Sequence, residues 1–159
     1  MFWPQWKGAH VIGTASGRNE GFLQQLGVDQ FINSQTSKFY ELVQDVDIVL
    51  DMIVRDAQDK IDLLAADTLR RSFSVLRRGG ILVSICAKPS QEMAAEYGVR
   101  AQKADNRWST NRLAQLAELV DKGFVKPHIH QVFPLADVRQ AHTLSQAGHT
   151  RGKIVLQVR

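Results

Sequence analysis

The sequence predicts an α/β chain built on a mostly parallel sheet flanked by helices, and three observations carry that prediction. Apolar runs of strand length recur at Val11 to Ala15, Phe31 to Ile32, Val46 to Leu50 and Ile81 to Ile85, each followed by a helix-like or loop-like polar segment. The third run, continued through Asp51-Met52-Ile53, and the fourth are too apolar to alternate, as expected for strands covered on both faces. Between them Leu69, Phe73 and Leu76 stand at i, i+4 and i+7, an apolar helix stripe that ends at the stop signal Gly79-Gly80. Strand, helix and strand in succession are the rhythm of βαβ units.

The later elements follow from the same rules. Leu113, Leu116, Ala117 and Val120 form a second helical stripe that starts after the capping residues Ser109-Thr110 and stops at Gly123, with packing as its expected role. An extended segment then runs to Phe133-Pro134, and a helix spans about Ala136 to Ala147 with Gly148 as its C′ residue. Ile154 to Val158 is the last strand. No internal repeat or low-complexity stretch interrupts the chain.

Composition narrows the class of function. The 159 residues, 44% hydrophobic and 23% charged, suit one globular domain with one sizeable core. No run approaches the roughly 18 apolar residues that span a bilayer. Met1 to Lys7 lacks the apolar run of a signal peptide, so the expected location is cytoplasmic, with no membrane partner. Cys86 has no second cysteine to pair with, which removes disulfide and Cys-x-x-Cys chemistry. The net charge of +4 is scattered, with dense pairs only at Arg70-Arg71 and Arg77-Arg78, so no nucleic-acid partner is expected. His128, His130, His142 and His149 lie near one another in the chain, but neither Cys pairs nor a His-x-x-x-His helix motif accompany them, and no zinc is expected.

Four landmarks occur in order across nearly the whole chain. They are His10-Val11-Ile12-Gly13-Thr14-Ala15-Ser16, Leu26-Gly27-Val28-Asp29-Gln30-Phe31-Ile32-Asn33, Val46-Asp47-Ile48-Val49-Leu50-Asp51 and Ser72 to Ile85. The closing Phe133-Pro134-Leu135, Ala141-His142 and Gly148 to Leu156 complete the set. In this order and spacing they resemble medium-chain dehydrogenase/reductases of the zinc-independent quinone oxidoreductase type, within the zinc-binding dehydrogenase family. Gly152-Lys153-Ile154-Val155-Leu156 speaks against an unrelated Rossmann-type fold such as a methyltransferase.

The resemblance implies that residues 1–159 form a partial NAD(P)-binding, Rossmann-like domain truncated at its N-terminus. It implies a GroES-like catalytic domain that this sequence does not contain. It also implies a first strand, glycine-rich turn and helix that are missing here. No Gly-x-Gly-x-x-Gly occurs, and Gly13-Thr14-Ala15-Ser16-Gly17 has the wrong spacing after the wrong strand. In the strand order 3-2-1-4-5-6 the missing strand stands between Val11–Ala15 and Val46–Met52, so its loss should split the sheet. The flanking strands closing up, a partner chain filling the gap and a truncated product with exposed edges all stay open.

The resemblance also implies a site. The end of the first visible strand in such folds reads the 2′ position of the adenosine ribose, where NAD readers place an acid. Here stand Ser16-Gly17-Arg18-Asn19, whose hydroxyl, guanidinium and amide suit a 2′-phosphate. Taken without the landmarks, the same residues are a polar turn before a helix cap. Thr14 joins Ser16, Arg18 and Asn19 as a cofactor-binding candidate. The ends of the next two strands, Met52 to Val54 with Ile53 at its centre, and Ile85, Cys86 and Ala87, would border the ribose and nicotinamide. Cys86 is read more readily as a small packing residue than as a reactive thiol.

The function so implied is NADP(H)-dependent oxidoreduction of a small carbonyl, quinone or enone, with NADP(H) preferred over NAD(H). No catalytic residue is assigned, because the cofactor carries the chemistry and the substrate pocket is shared with the missing domain. The isolated chain is therefore expected to lack activity. The alternative is a non-catalytic nucleotide-binding or dimerisation module left by truncation, a homodimer pairing through the edge around Val99 to Ala104.

Overall fold

A computed structural model of the chain describes residues 8–52, 63–85, 87–104, 109–148 and 150–158, with the side chains of 63–66 set aside. In chain order the elements begin β1 (Ile12–Ala15), a 3₁₀ turn (Gly17–Asn19), α1 (Glu20–Leu26), β2 (Gln30–Asn33), α2 (Phe39–Leu42) and β3 (Val46–Asp51). There follow α3 (Leu63–Ser74), β4 (Leu76–Ser84), α4 (Gln91–Tyr97) and β5 (Arg100–Lys103). The chain closes with α5 (Thr110–Asp121), β6 (Ile129–Pro134), a 3₁₀ turn (Leu135–Asp137), α6 (Val138–Gln146) and β7 (Lys153–Gln157). They form two compact units, Ile12–Gly21 with Gln30–Trp108, and Met1–Val11 with Phe22–Asp29 and Ser109–Arg159.

In the first of these units every strand pairing is parallel, as the apolar runs predict. β1 pairs with β2, while β3, β4 and β5 make a separate sheet in that order. The expected break is therefore present: among the described residues no ladder joins β1 to β3. The core of the larger sheet is Phe73, Leu76, Leu82, Ala94 and Val99, with Leu69, Met93, Tyr97, Val46, Val49 and Ala101 against it. Residues from α3 and α4 in this cluster put both helices on the face that presents Val49, Leu82 and Ala101, which the register aligns across the three strands. A second cluster, Ile32, Val43 and Val75, touches Ile12, Phe39 and Tyr40 and shares Val46 and Val49 with the first.

Two expectations for the larger sheet are corrected by the structure. The stripe Leu69, Phe73, Leu76 does reach one core, but the helix ends at Ser74 and not at Gly79-Gly80. Ser72 Oγ donates to Thr68 O at 2.9 Å and Ser74 Oγ to Arg71 O at 2.8 Å, hydroxyls that compete for helical carbonyls. Val46 N then bonds Val75 O at 3.0 Å, and Leu76 enters β4. The glycines serve an irregularity inside that strand, where the register jumps from Val46↔Leu76 to Ile48↔Ile81. A Cβ on Gly80 would stand 2.9 Å from Arg77 O and 3.0 Å from Asp47 O. The second correction concerns burial. Leu82 is 0% exposed on the helix-covered face, whereas Ile48 and Leu50 are 64% and 52% exposed on the other, so β3 is not covered on both faces.

α3 is tied to α2 by charge. Asp67 pairs with Arg71 one turn on, and the Arg71 guanidinium lies 4.1 Å from the Tyr40 ring centroid. The hydrogen bond from Arg71 holds the Asp67 carboxyl below the ordinary carboxylate range and raises Arg71 in turn.

In the other unit Ser109 caps α5 as predicted, its Oγ accepting from Arg112 N at 3.2 Å, and Gly123 follows with φ +72°. The apolar stripe of α5 is not packed as expected: Leu113, Leu116 and Val120 are exposed. β6 pairs in parallel with β7, and α6 ends before Gly148 at φ +68°. Among the described residues no helix is long and apolar enough to cross a membrane.

Candidate functional site

The site begins where β1 stops. Ser16 is still extended, and the chain then closes one 3₁₀ turn over Gly17–Asn19. Asn19 N donates to Ser16 O at 2.9 Å, and Asn19 Nδ2 donates to Ser16 Oγ at 3.1 Å, which draws the hydroxyl and amide side chains together. Arg18 points from the same turn and is exposed, as is Thr14 on the strand itself. Of the residues predicted at this strand end, Ser16, Arg18 and Asn19 thus lie on one short turn, with Thr14 two residues before it.

The parallel register supplies a residue that sequence reasoning missed. Ala15 pairs with Asn33, so the end of β2 lies beside the turn. Ser34 N bonds Ala15 O at 2.9 Å, and Asn33 Oδ1 accepts from Gln35 N at 3.0 Å. With the oxygen so engaged, the Nδ2 of Asn33 faces Gly17, where a Cβ would stand only 2.8 Å from it. Gly17 leaves room for this close approach. The available signal was the polar Asn33 closing a strand parallel to β1. Ser16, Arg18, Asn19 and Asn33 offer a hydroxyl, a guanidinium and two amides without a carboxylate; the nearest acid in sequence, Glu20, starts α1. Such a donor set suits a phosphate, and the turn itself carries no acid.

A second group lies at the carboxyl ends of β3 and β4. Ile85 N donates to Asp51 O at 3.0 Å, which places Ile85 directly after the paired strands. Ser84 Oγ donates to Asp51 Oδ2 at 2.8 Å and accepts from Ala87 N at 3.2 Å. Ile85 and Ala87 are exposed, so both predicted positions are accessible. Ile53 and Cys86 lie outside the described residues. The Asp51–Ser84 pair was not anticipated, because its partners are 33 residues apart.

Among the described residues no group of three or more His, Cys, Asp or Glu side chains could hold a metal ion. The His128 ring packs against Phe22, with centroids 4.8 Å apart, and its carbonyl accepts from Lys153 N at 2.8 Å. His149 lies outside the described residues.

Comparison with known proteins bears on this arrangement. The sequence profile described as zinc-binding dehydrogenase matches residues 26–156. The "Probable zinc-binding oxidoreductase, mitochondrial" of Arthroderma benhamiae is 26% identical over 93% of this chain and 44% of its own length. The "NAD(P)H oxidoreductase RTN4IP1, mitochondrial" of Danio rerio is 26% identical over 95% of this chain and 43% of its own. The solved quinone oxidoreductase from Coxiella burnetii superposes with a TM-score of 0.79, at 31% identity, over 98% of this chain and 47% of that one. The chain spans about half the length of the relatives it matches. The names of the curated relatives overturn the cytoplasmic expectation, since these proteins are mitochondrial. A mitochondrial transit peptide is amphipathic, so the composition of Met1 to Lys7 does not separate the two compartments.

Proposed function

The chain belongs to the zinc-binding dehydrogenase family, and from that premise we propose that it is the adenosine-binding part of an NADP(H)-dependent oxidoreductase. The observation that carries the reading is the acid-free turn Ser16–Asn19, set beside Asn33 by the pairing of β1 with β2. In this reading Arg18 and the Ser16 hydroxyl hold the 2′-phosphate, Asn19 orients that hydroxyl, and bare Gly17 leaves room for the Asn33 amide. Thr14, Ile85 and Ala87, with Ile53 and Cys86, border the rest of the nucleotide.

The donor set fits the ribose phosphate. The pyrophosphate is another matter, because no Gly-x-Gly-x-x-Gly turn occurs in these 159 residues to cradle it. The nicotinamide supplies hydride chemistry when bound, and the residues of this chain bind and orient. The substrate class in this reading is a small carbonyl, quinone or enone. No zinc enters it.

A fluorescence titration with NADPH and with NADH tests the reading. Saturable NADPH binding is expected, tighter than NADH and weakened about ten-fold in Arg18→Ala, the loss of one charge-assisted contact. Equal affinity for both nucleotides would remove the phosphate assignment, and no binding of either would remove the cofactor role.

Among the described residues β5 pairs with no strand but β4, its outer edge meeting the Gln91 side chain at Ala101 O (3.0 Å), and this edge without a strand partner favours a second reading as a non-catalytic dimerisation module. A stable homodimer that binds no nucleotide would support it, and turnover of a quinone with NADPH would exclude it.

A further inference from the structure

The geometry points to Asp51 and Ser84 as positioning residues for the nicotinamide end of the site, an inference that rests on the cofactor reading above. Both side chains are buried, at the carboxyl ends of β3 and β4. One hydroxyl joins two elements there: Ser84 Oγ donates to Asp51 Oδ2 at 2.8 Å and accepts from Ala87 N at 3.2 Å. Main-chain bonds extend the clamp, from Ile85 N to Asp51 O at 3.0 Å and from Ala104 N to Ser84 O at 2.8 Å. Three strand ends are thereby fixed against the backbone that leaves β4.

The location separates this pair from ordinary core packing. Ser84 follows Leu82 on the same face, and Asp51 follows Val49, so each stands next to an apolar residue of the core. An alanine or valine would fill such positions without the cost of burying a carboxylate. The polar pair stands instead at the strand ends, where open parallel sheets bind their ligands, and its hydroxyl bonds the amide of Ala87. Its consequence is a set direction for the chain at Ile85 and Ala87, the positions that border the nicotinamide ribose.

The test compares affinities for NADPH and for 2′,5′-ADP, which lacks the nicotinamide half, together with amide hydrogen exchange at Ala87. In Ser84→Ala, NADPH should bind about ten-fold more weakly, 2′,5′-ADP should change by less than about two-fold, and Ala87 should exchange faster. Asp51→Ala should behave likewise, and Asp51→Asn, which keeps an acceptor for the hydroxyl, should recover most of the loss. Should the alanine variants not fold, Ser84→Cys should shift the same readouts in the same direction by less. Equal weakening of both ligands, or unchanged exchange at Ala87, would overturn the positioning role while leaving the cofactor reading intact. Failure of the unaltered chain to bind either nucleotide would sink the cofactor reading, and this role with it.

Discussion

The two faces of the β3–β4–β5 sheet both carry branched apolar residues and meet opposite fates. One face buries Leu82 completely under Phe73 and Ala94, brought by α3 and α4. The other leaves Ile48, Leu50 and Met52, alternate residues of β3 and the position beyond it, largely exposed. Ile48 and Leu50 are as apolar as Val49 and Leu82, so the difference lies in which helices are at hand. An apolar strand face is a demand for cover, and only a neighbouring element meets it.

Measurements of stability can break or sharpen this contrast. Phe73→Ala should lower the unfolding free energy by about 3–5 kcal/mol in a urea titration, because it opens a cavity under the covered face. Gly80→Ala should cost about 1–3 kcal/mol, since its Cβ would meet backbone oxygens that side-chain motion cannot relieve. Ser109→Ala should cost about 1 kcal/mol through the lost cap of α5, read as reduced helicity on the same titration. Leu50→Ala should stay within about 0.5 kcal/mol, the value for an exposed site. A loss at Leu50 as large as that at Phe73 would show that the bare face is covered in solution.

The smallest effect is a pH dependence. Asp67 has its pKa lowered by folding, so its contribution is complete above the ordinary carboxylate pKa and is lost as pH falls through the depressed one. Asp67→Asn should therefore melt slightly below the unaltered protein at neutral pH, with the gap closing in acid. Added salt should narrow the gap as well, because the pair is solvent-accessible.

Much of the fold was legible in the amino-acid order because it depends on neighbours in the chain. The apolar runs located β1 to β4, Ser109 and Gly123 bounded α5, and Gly148 ended α6. The turn Ser16–Asn19 was legible for the same reason, its bonds spanning only three residues. The end of α3 was misread because Ser72 and Ser74 bond back to their own helix while Val75 is captured by β3. A glycine pair near a helical stripe does not by itself distinguish a helix stop from a strand irregularity.

By itself, then, the sequence determined the parallel α/β character, the places of β1 to β4, α5, α6 and β7, and a break beside β1, since periodicity, caps and landmark spacing are properties of short segments. Only the tertiary structure decided that Asn33 lies against Gly17, that Ser84 bonds Asp51 and that one face of β3 is bare. The physical reason is register. Which residues of parallel strands stand side by side is set by the joint packing of strands and helices far apart in the chain, and no local pattern encodes it.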